Sequence, residues 1–228
     1  MSEQLFDLSG EYEAMLNQGI RLSGENMMFF LEGRLNLLRT RMSSHAAVSR
    51  VLDFGCGLGY TSKRLREMFP RAEIVGADTS LQALEAAKER NCGPGIRYVH
   101  VDELGEIAGG FDLCYVNGVF HHIPPEERLD ALRVIYQSLR PGGKLALFEN
   151  NPWNPGARMV MARIPFDRDA QMLSPRETSS LLSRAGFEST ATGSLFFFPR
   201  FLKALRFAEP FLGWTHLGAQ YLVLGEKR

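Results

Sequence analysis

The sequence predicts an α/β fold, in which a doubly wound sheet of seven mostly parallel strands carries helices on both faces and has an antiparallel last strand. Two observations lead to this fold class. From residue 50 onward, short apolar runs alternate with stretches of helical periodicity, which is the pattern of a parallel sheet with crossover helices. The runs are apolar along their whole length, which is typical of strands covered on both faces.

Five strands and three helices are expected in the first part of this sheet. The strands are predicted at 51–54, 74–77, 97–101, 113–117 and 144–149. The helices are predicted between them, at 60–68, 81–89 and 125–139. The turn Arg140-Pro-Gly-Gly143 should stop the third helix and lead into the fifth strand.

The last third of the chain begins with a well-marked helix. Ser174 can cap it, Pro175 fits the first helical position, and Glu177 can close a capping box. Two more strands, near 187–197 and 219–225, complete the sheet.

Residues 1–46 are expected to form a helical cap over the sheet. Apolar positions at three- and four-residue spacing predict helices over 6–20 and 25–42. Because this stretch is too short for a domain of its own, residues 1–228 are expected to form a single domain.

The most informative motif lies where the first strand ends. This strand delivers Asp53, and glycines follow at alternate positions, Gly55, Gly57 and Gly59. Without a Cβ, a glycine lets the backbone turn tightly and approach a ligand closely. A second strand ends in Asp78 about 20 residues later, which is the spacing of a nucleoside pocket on an open α/β sheet.

The glycine spacing separates two kinds of nucleoside pocket. A dinucleotide site, G-x-G-x-x-G, would need a glycine where this chain has Tyr60. The acid followed by G-x-G-x-G instead resembles motif I of the class I S-adenosylmethionine (SAM)-dependent methyltransferases. The resemblance extends over residues 50–149, and it implies a Rossmann-like fold and SAM as the cofactor.

By this resemblance, Asp53 and the glycine loop would hold the amino-acid end of SAM, Asp78 would accept the ribose hydroxyls, and Asp102 would meet the adenine. The alternatives are structural: a turn in another α/β protein, a helix-starting Asp78, and a solvent-exposed Asp102. Glu103 departs from the small residue that relatives often carry there. The full predicted cofactor set is Asp53, Gly55, Gly57, Gly59, Tyr60, Asp78, Thr79, Asp102, Glu103 and Asn117.

A pair of histidines follows the fourth strand, in Asn117-Gly-Val-Phe-His-His122, at the edge where open sheets bind ligands. This loop resembles the family's loop ending in His-His. His121 or His122 is our first candidate for a general base, because histidine takes a proton near neutral pH. A pocket-lining role and simple packing are the alternatives. No metal is expected, because the ring nitrogens of adjacent histidines usually point apart.

A long stretch without clear periodicity, 150–173, follows the fifth strand on the same edge. Long loops in compact domains are often functional, so we interpret it as a substrate-side insertion, with a packing insertion as the alternative. Its expected substrate contacts are Trp153, Arg158 and Arg168. Tyr12 of the helical cap is expected to join them, with ordinary packing as its alternative.

A second substrate-side insertion is expected at 198–217. Its first half overlaps the segment 196–207, which mixes aromatic residues with spaced cations. Such a segment can lie on a membrane surface, bury its face against its own sheet, or contact a second subunit. All three interpretations stay open, and a homodimer is one assembly that they allow.

The composition argues against several classes of function. The formal net charge is zero, whereas nucleic-acid binders usually carry a basic excess. Cys56, Cys92 and Cys114 lack C-x-x-C spacing, which indicates a reducing compartment and no zinc-binding cysteines. The N-terminus has no apolar signal region, and no apolar run is long enough to span a membrane. A cytoplasmic protein with a small-molecule partner is therefore expected.

Methyl transfer from SAM to an oxygen or nitrogen of a small molecule is the predicted function. A SAM-binding protein without catalysis is the first alternative. A nicotinamide-dependent oxidoreductase is the second, and Tyr60 in place of the third glycine argues against it.

Overall fold

A seven-stranded sheet forms the centre of the protein in the computed structural model, which describes residues 9–42, 48–107, 109–167 and 169–228, without the side chains of residues 9–14, 189 and 190. In chain order the strands are β1 Arg50–Phe54, β2 Glu73–Asp78, β3 Ile96–His100, β4 Phe111–Asn117, β5 Leu139–Asn150, β6 Phe187–Leu195 and β7 Gln220–Lys227. They lie in the order β3-β2-β1-β4-β5-β7-β6. Strands β1 to β5 pair in parallel, and β7 runs antiparallel between β5 and β6. The predicted fold class is confirmed.

Both faces of the central strands are buried, which explains their uninterrupted apolar sequences. Along β4, Leu113 and Tyr115 belong to one core, whereas Cys114 and Val116 belong to the other, and all four are fully buried. Successive side chains of a strand point to opposite faces. A strand covered by helices on both sides therefore needs an apolar residue at every position.

The α-helices flank this sheet on its two faces. Leu35 and Leu65 pack in the same core as Leu113, whereas Leu132 and Leu182 pack in the core of Cys114. The α-helices of the described residues are α1 Ser9–Ile20, α2 Met27–Arg41, α3 Tyr60–Met68, α4 Leu81–Arg90, α5 Arg128–Ser138, α6 Pro155–Met161, α7 Pro175–Arg184 and α8 Glu209–Leu212.

Helix ends follow the local signals of the sequence. Ser174 Oγ accepts a hydrogen bond from the N–H of Glu177 at 3.2 Å, which starts α7 at Pro175 as predicted. Gly24 has a φ of 75° and separates the two N-terminal helices. A left-handed glycine is a common helix stop because it carries no Cβ penalty.

Two strand boundaries differ from the prediction. Strand β5 already begins at Leu139, because this residue pairs with Phe111 of β4 ahead of the glycine turn. Strand β6 ends at Leu195 because Phe196 has a φ of 62°, a conformation that an extended strand excludes.

The two expected insertions contain short helices. Helix α6 and a 3₁₀ turn at Pro165–Asp167 lie between β5 and α7, where the sequence shows no clear periodicity. A 3₁₀ helix, Arg200–Ala208, and α8 lie between β6 and β7. None of the helices in the described ranges combines the length and apolarity that crossing a bilayer requires.

Candidate cofactor and acceptor site

A cavity of about 1130 Å³ opens at the carboxyl edge of the parallel strands. Residues that follow β1, β2 and β4 line one part of it, and residues of α1 and α2 line another. This is the edge at which open α/β sheets bind their ligands.

The loop from β1 to α3 requires its glycines. Gly55, Gly57 and Gly59 have φ values of 74°, 51° and 81°, a region that L side chains rarely adopt. A Cβ at Gly55 would lie 2.3 Å from Cγ2 of Val119, and one at Gly59 would lie 2.4 Å from the hydroxyl of Tyr98. A Cβ at Gly57 would meet no atom within 4 Å, so the cavity is open above this backbone. The loop therefore offers a backbone cradle to a ligand.

Asp78, at the end of β2, holds this loop and also lines the cavity. Its Oδ2 accepts a hydrogen bond from the N–H of Gly57 at 2.8 Å, and its Oδ1 accepts one from the N–H of Ser80 at 3.0 Å. Each carboxylate oxygen keeps a further acceptor site. Two neighbouring hydroxyl donors, such as those of a ribose, therefore fit this side chain.

Asp53 lies beneath the loop. Its side chain accepts a hydrogen bond from Oγ of Ser62 at 2.6 Å, and Asp53 is only 2% exposed. Burial raises the pKa of Asp53 to about 7, against the opposing effect of the Ser62 hydrogen bond and with help from the charge of Asp78. The carboxyl is thus near its midpoint at neutral pH, where the ammonium of a ligand would favour its ionised form.

His121 is clamped by Glu149, the acid near the end of β5. Oε1 of Glu149 accepts a hydrogen bond from the N–H of Phe120 at 2.8 Å, and Oε2 lies 2.6 Å from Nδ1 of His121. Because an ionised carboxylate only accepts hydrogen bonds, Nδ1 carries the shared proton. Both side chains are almost fully buried. The clamp fixes the ring and turns its Nε2 away from Glu149.

Asp167, from the 3₁₀ turn that follows α6, meets both histidines. Its Oδ1 lies 3.4 Å from Nε2 of His121 and 3.2 Å from Nε2 of His122. Burial favours the neutral acid, but the two histidines outweigh it and lower the pKa of Asp167. All three side chains line the cavity.

The cavity therefore brings together a backbone cradle, a carboxylate that suits the hydroxyls of a ribose, and a histidine cluster. Residues 52–145, which supply most of these groups, match the family model described as a methyltransferase domain. This match, together with the fold, is consistent with the class I SAM-dependent methyltransferases. The cofactor of this family is SAM, and the open cradle with Asp78 beside it fits such a nucleoside.

Other methyltransferases match the chain in part. A trans-aconitate 2-methyltransferase from Deinococcus radiodurans is 36% identical over 99 residues, which are 43% of this chain and 37% of that protein. The matches to the first curated relatives span about half of their length or less.

Solved structures extend the similarity over more of the chain. A SAM-dependent methyltransferase from Archaeoglobus fulgidus has a TM-score of 0.64 at 16% identity, with 89% of this chain and 100% of that chain covered. Human N-acetylserotonin methyltransferase in complex with SAM has a TM-score of 0.59 at 17% identity, with 82% of this chain and 50% of that chain covered. At such identities the similarity establishes the fold alone.

Three other residues predicted to bind the cofactor lie in different places. Thr79 and Asn117 line the cavity beside Asp78. Tyr60 does not, because it opens α3 and its ring packs against buried residues of the core. A contact of Tyr60 with SAM stays a prediction.

The two acids predicted at the adenine lie outside the cavity lining. The Asp102 side chain is 87% exposed. Glu103 accepts a hydrogen bond from the N–H of His100 at 2.9 Å and so closes a capping box on the 3₁₀ turn after β3. Adenine contacts by both acids stay predictions, and the Glu103 side chain is already engaged in the capping box.

The prediction of a general base conflicts with the surroundings of His121. Burial disfavours its charge, but Glu149 and Asp167 outweigh burial and raise the pKa of His121 to about 10. An imidazolium held this firmly does not accept a further proton at neutral pH. The prediction stays with His122, which also lines the cavity.

Two of the predicted substrate contacts, Trp153 and Arg158, lie outside the cavity lining, and their role in substrate binding stays a prediction. Trp153 packs against His216 and Arg176 on the outer surface, and it does not line the cavity. Arg158 points to solvent, and α6 buries a different face, through Ala157 and Met161.

The structure does not describe the side chains of two more predicted contacts. Arg168 lies outside the described residues, and so does the side chain of Tyr12, whose backbone belongs to α1. A role in substrate binding stays a prediction for both.

An aromatic wall lines one side of the cavity. The ring of Phe196 packs against those of Phe29 and Phe30, with centroids 5.7 and 4.9 Å apart. The sequence shows the phenylalanine run after β6, but it does not show which of these rings face the cavity. The cavity-lining aromatic residues of this wall are Phe29, Phe30, Phe196, Phe197 and Phe198.

The outer half of the 198–217 insertion exposes large apolar side chains. Phe201, Phe207, Phe211 and Trp214 are each at least 75% exposed. The interpretation that the segment 196–207 buries its face against its own sheet is therefore wrong for Phe201 and Phe207. A membrane surface or a second subunit stays a prediction.

The raised pKa of Asp53 predicts a pH-dependent cost to stability. Between about pH 4 and pH 7 the folded protein keeps a proton that the unfolded chain has released, so its free energy of unfolding falls as the pH rises through this window. Asp53→Asn should remove this fall, which amounts to about 4 kcal/mol at most. Urea unfolding of both proteins at pH 4.5 and pH 8 measures this fall. It equals the increase, from the lower to the higher pH, in the difference in free energy of unfolding between the variant and the wild type. Parallel pH profiles of the two proteins would contradict the assignment.

Proposed function

We propose that this protein transfers a methyl group from SAM to an oxygen or nitrogen of a small, largely apolar molecule. The observation that carries the proposal is the single cavity that reaches from the glycine cradle to the histidine cluster and the aromatic wall. One continuous space would let a cofactor and an acceptor meet without crossing solvent.

The size of the cavity suits two ligands. Pockets for one drug-sized ligand usually measure about 300–1,000 Å³, and this cavity measures about 1130 Å³. A nucleoside cofactor beside the glycine loop would leave room for a small acceptor, whereas a folded macromolecule would not fit.

The charges of the lining argue for an apolar acceptor. Among the described residues that line the cavity, the cationic ones are Arg34, Arg206 and the imidazolium of His121, which Glu149 and Asp167 already pair. Arg34 already donates to the hydroxyl of Tyr115 and to Gln220, and Arg206 pairs with Glu25 at 3.0 Å. A tricarboxylate such as the acceptor named in the curated relatives would lack free cations here. We therefore infer an acceptor with an aromatic or aliphatic body.

Bound SAM supplies a methyl group on a sulfonium. The neutral thioether that remains after transfer is a good leaving group. The protein then mainly positions the acceptor. The aromatic wall of Phe29, Phe30 and Phe196 would hold its apolar body and exclude water from the reacting atoms. His122 would take a proton if the acceptor atom is a hydroxyl.

Ligand-dependent thermal unfolding tests the cofactor part of this proposal. SAM and its demethylated product at about 100 times their Kd should stabilise the protein by about 2.7 kcal/mol, or about 5–10 °C for a domain of this size. Nicotinamide nucleotides should leave the melting temperature unchanged. Stabilisation by a nicotinamide nucleotide alone would favour the oxidoreductase.

Turnover tests the catalytic part. Incubation with labelled SAM and a panel of phenols, amines and fatty acids should transfer label to an apolar member rather than to tricarboxylates. SAM binding without any labelled product across the panel would favour a binding protein that does not catalyse.

A further inference from the structure

We propose that His121, His122 and Asp167 form a binding site for one divalent transition-metal ion of the zinc class. Their ligand atoms all lie within 4.8 Å of one another. The sequence argued against a metal because adjacent histidine rings usually diverge. Here the rings lie only 4.1 Å apart between centroids, and both turn an Nε2 toward the same carboxylate oxygen.

Two atoms of this cluster lack the hydrogen bonds that burial normally demands. Within the described part of the chain, neither Nε2 of His121 nor Oδ1 of Asp167 forms a hydrogen bond, although both atoms are shielded from solvent. Their residues are only 4% and 7% exposed. Buried polar atoms without partners are costly and rare, and a bound ion is one of their established explanations. An ion between them would satisfy both atoms at once.

The distances suit tetrahedral coordination. Zinc binds histidine nitrogen at about 2.0–2.1 Å and carboxylate oxygen at about 2.0–2.2 Å, and a tetrahedral angle then separates two ligand atoms by about 3.4 Å. Oδ1 of Asp167 lies 3.4 Å from one Nε2 and 3.2 Å from the other. Two of the three edges of the site therefore already have the required length.

Glu149 gives His121 the orientation of a metal ligand. Its carboxylate holds Nδ1 at 2.6 Å, which leaves Nε2 as the coordinating atom. Histidines that bind metals almost always donate their other ring nitrogen to a carboxylate or carbonyl in this way. Glu149 would thus be a positioning residue rather than a ligand.

The charge of the cluster also suits a dication. With neutral imidazoles, Glu149 and Asp167 place two negative charges in a buried site, and a divalent ion balances both. Such an ion would take the place of a proton on Nε2 of His121 and would leave the proton between Nδ1 and Glu149 in place.

The site opens toward the cavity, which all three ligands line. Catalytic zinc sites keep three protein ligands and leave a fourth position for water or substrate. That position would take an oxygen of the methyl acceptor, an extension that rests on the proposed function. With the ion bound, the metal would lower the pKa of that oxygen and so replace His122 as the group that promotes loss of its proton. Metal binding itself does not depend on this extension.

Metal titration of the protein without SAM tests the site. Tag-free protein with Cys92→Ser, which removes the exposed thiol as a competing ligand, is stripped with a chelator and titrated with zinc by calorimetry. We expect one ion per chain. No measurable binding would overturn the proposal, whatever the outcome of the SAM experiments.

Variants locate the ion. Asp167→Asn and His122→Gln should each weaken zinc binding at least tenfold, and Glu149→Gln should weaken it about 10- to 100-fold through the orientation of His121. His100→Gln, a histidine paired with Asp102 outside the cluster, is the matched control and should bind as the parent does. Unchanged affinity in the cluster variants would refute the site.

Cobalt provides a readout that needs no folded variant. Cobalt(II) bound by the parent protein should show the intense visible bands of a tetrahedral site without a thiolate charge-transfer band. A thiolate band would assign the ion to a cysteine and overturn the proposal.

Discussion

Arg128→Met should lower the free energy of unfolding by about 3 kcal/mol, because a buried guanidinium that serves several carbonyls cannot be replaced without loss. Arg128 is only 2% exposed. Its Nε donates to the carbonyls of Phe120 and Ile123, and its NH2 group donates to that of Gln171 at 2.6 Å. Methionine would fill a similar volume and leave these acceptors without their donor. Urea unfolding, with both midpoint and slope, measures the loss.

The same helix provides the control. Arg133, one turn and a half further along α5, pairs with Asp130 at 2.8 Å, but both side chains are more than half exposed. Arg133→Met should therefore change the free energy of unfolding by less than about 0.5 kcal/mol. Equal losses of unfolding free energy in the two variants would contradict this prediction, because the loss would then not depend on the burial of Arg128.

Arg128 also links stability to the candidate site. It ties the loop that carries the histidine pair to the segment after Asp167, and the N–H of Gln171 donates in turn to the carbonyl of His121 at 2.8 Å. The histidine cluster is therefore positioned by contacts between parts of the chain that are far apart in sequence.

This distance explains what the sequence could and could not predict. The strands, the glycine turn and the helix start at Ser174 depend on residues that are neighbours in sequence, so their local patterns suffice. The glycines could be recognised because Gly55, Gly57 and Gly59 all have a positive φ, a local conformation that L side chains rarely adopt.

The acceptor side depends on the direction of individual side chains. Trp153 and Arg158 have the chemistry of substrate contacts, yet helix α6 turns its Ala157 face inward and leaves Arg158 in solvent. No periodicity marked that short helix in advance, because it spans only two turns. Glu149 is the site residue that the sequence analysis missed. An acid near the end of an apolar strand, at the ligand edge, indicates a paired group because burial of an unpaired charge is unfavourable.

The Asp78 carboxylate is where the cofactor assignment can be tested most sharply. Asp78→Ala should weaken the binding of SAM about tenfold or more, equal to about 1.4 kcal/mol, because it removes the ribose acceptor and also the anchor of the Gly57 N–H. Glu85→Ala, which removes an exposed acid of α4 away from the cavity, is the control and should leave the Kd unchanged.

A ligand without ribose hydroxyls separates the two effects of Asp78. Wild-type protein should bind the 2′,3′-dideoxy form of the demethylated cofactor about fivefold or more weakly than the parent nucleoside, since hydrogen bonds to a charged acceptor contribute about 1.5–3 kcal/mol. Asp78→Ala should bind both nucleosides with Kd values within about twofold, because a lost acceptor cannot distinguish them. Loop loosening alone would weaken both ligands equally and preserve the wild-type preference. Calorimetry on the four combinations decides, and a preference for the hydroxyls that survives in Asp78→Ala would place the ribose elsewhere in the cavity.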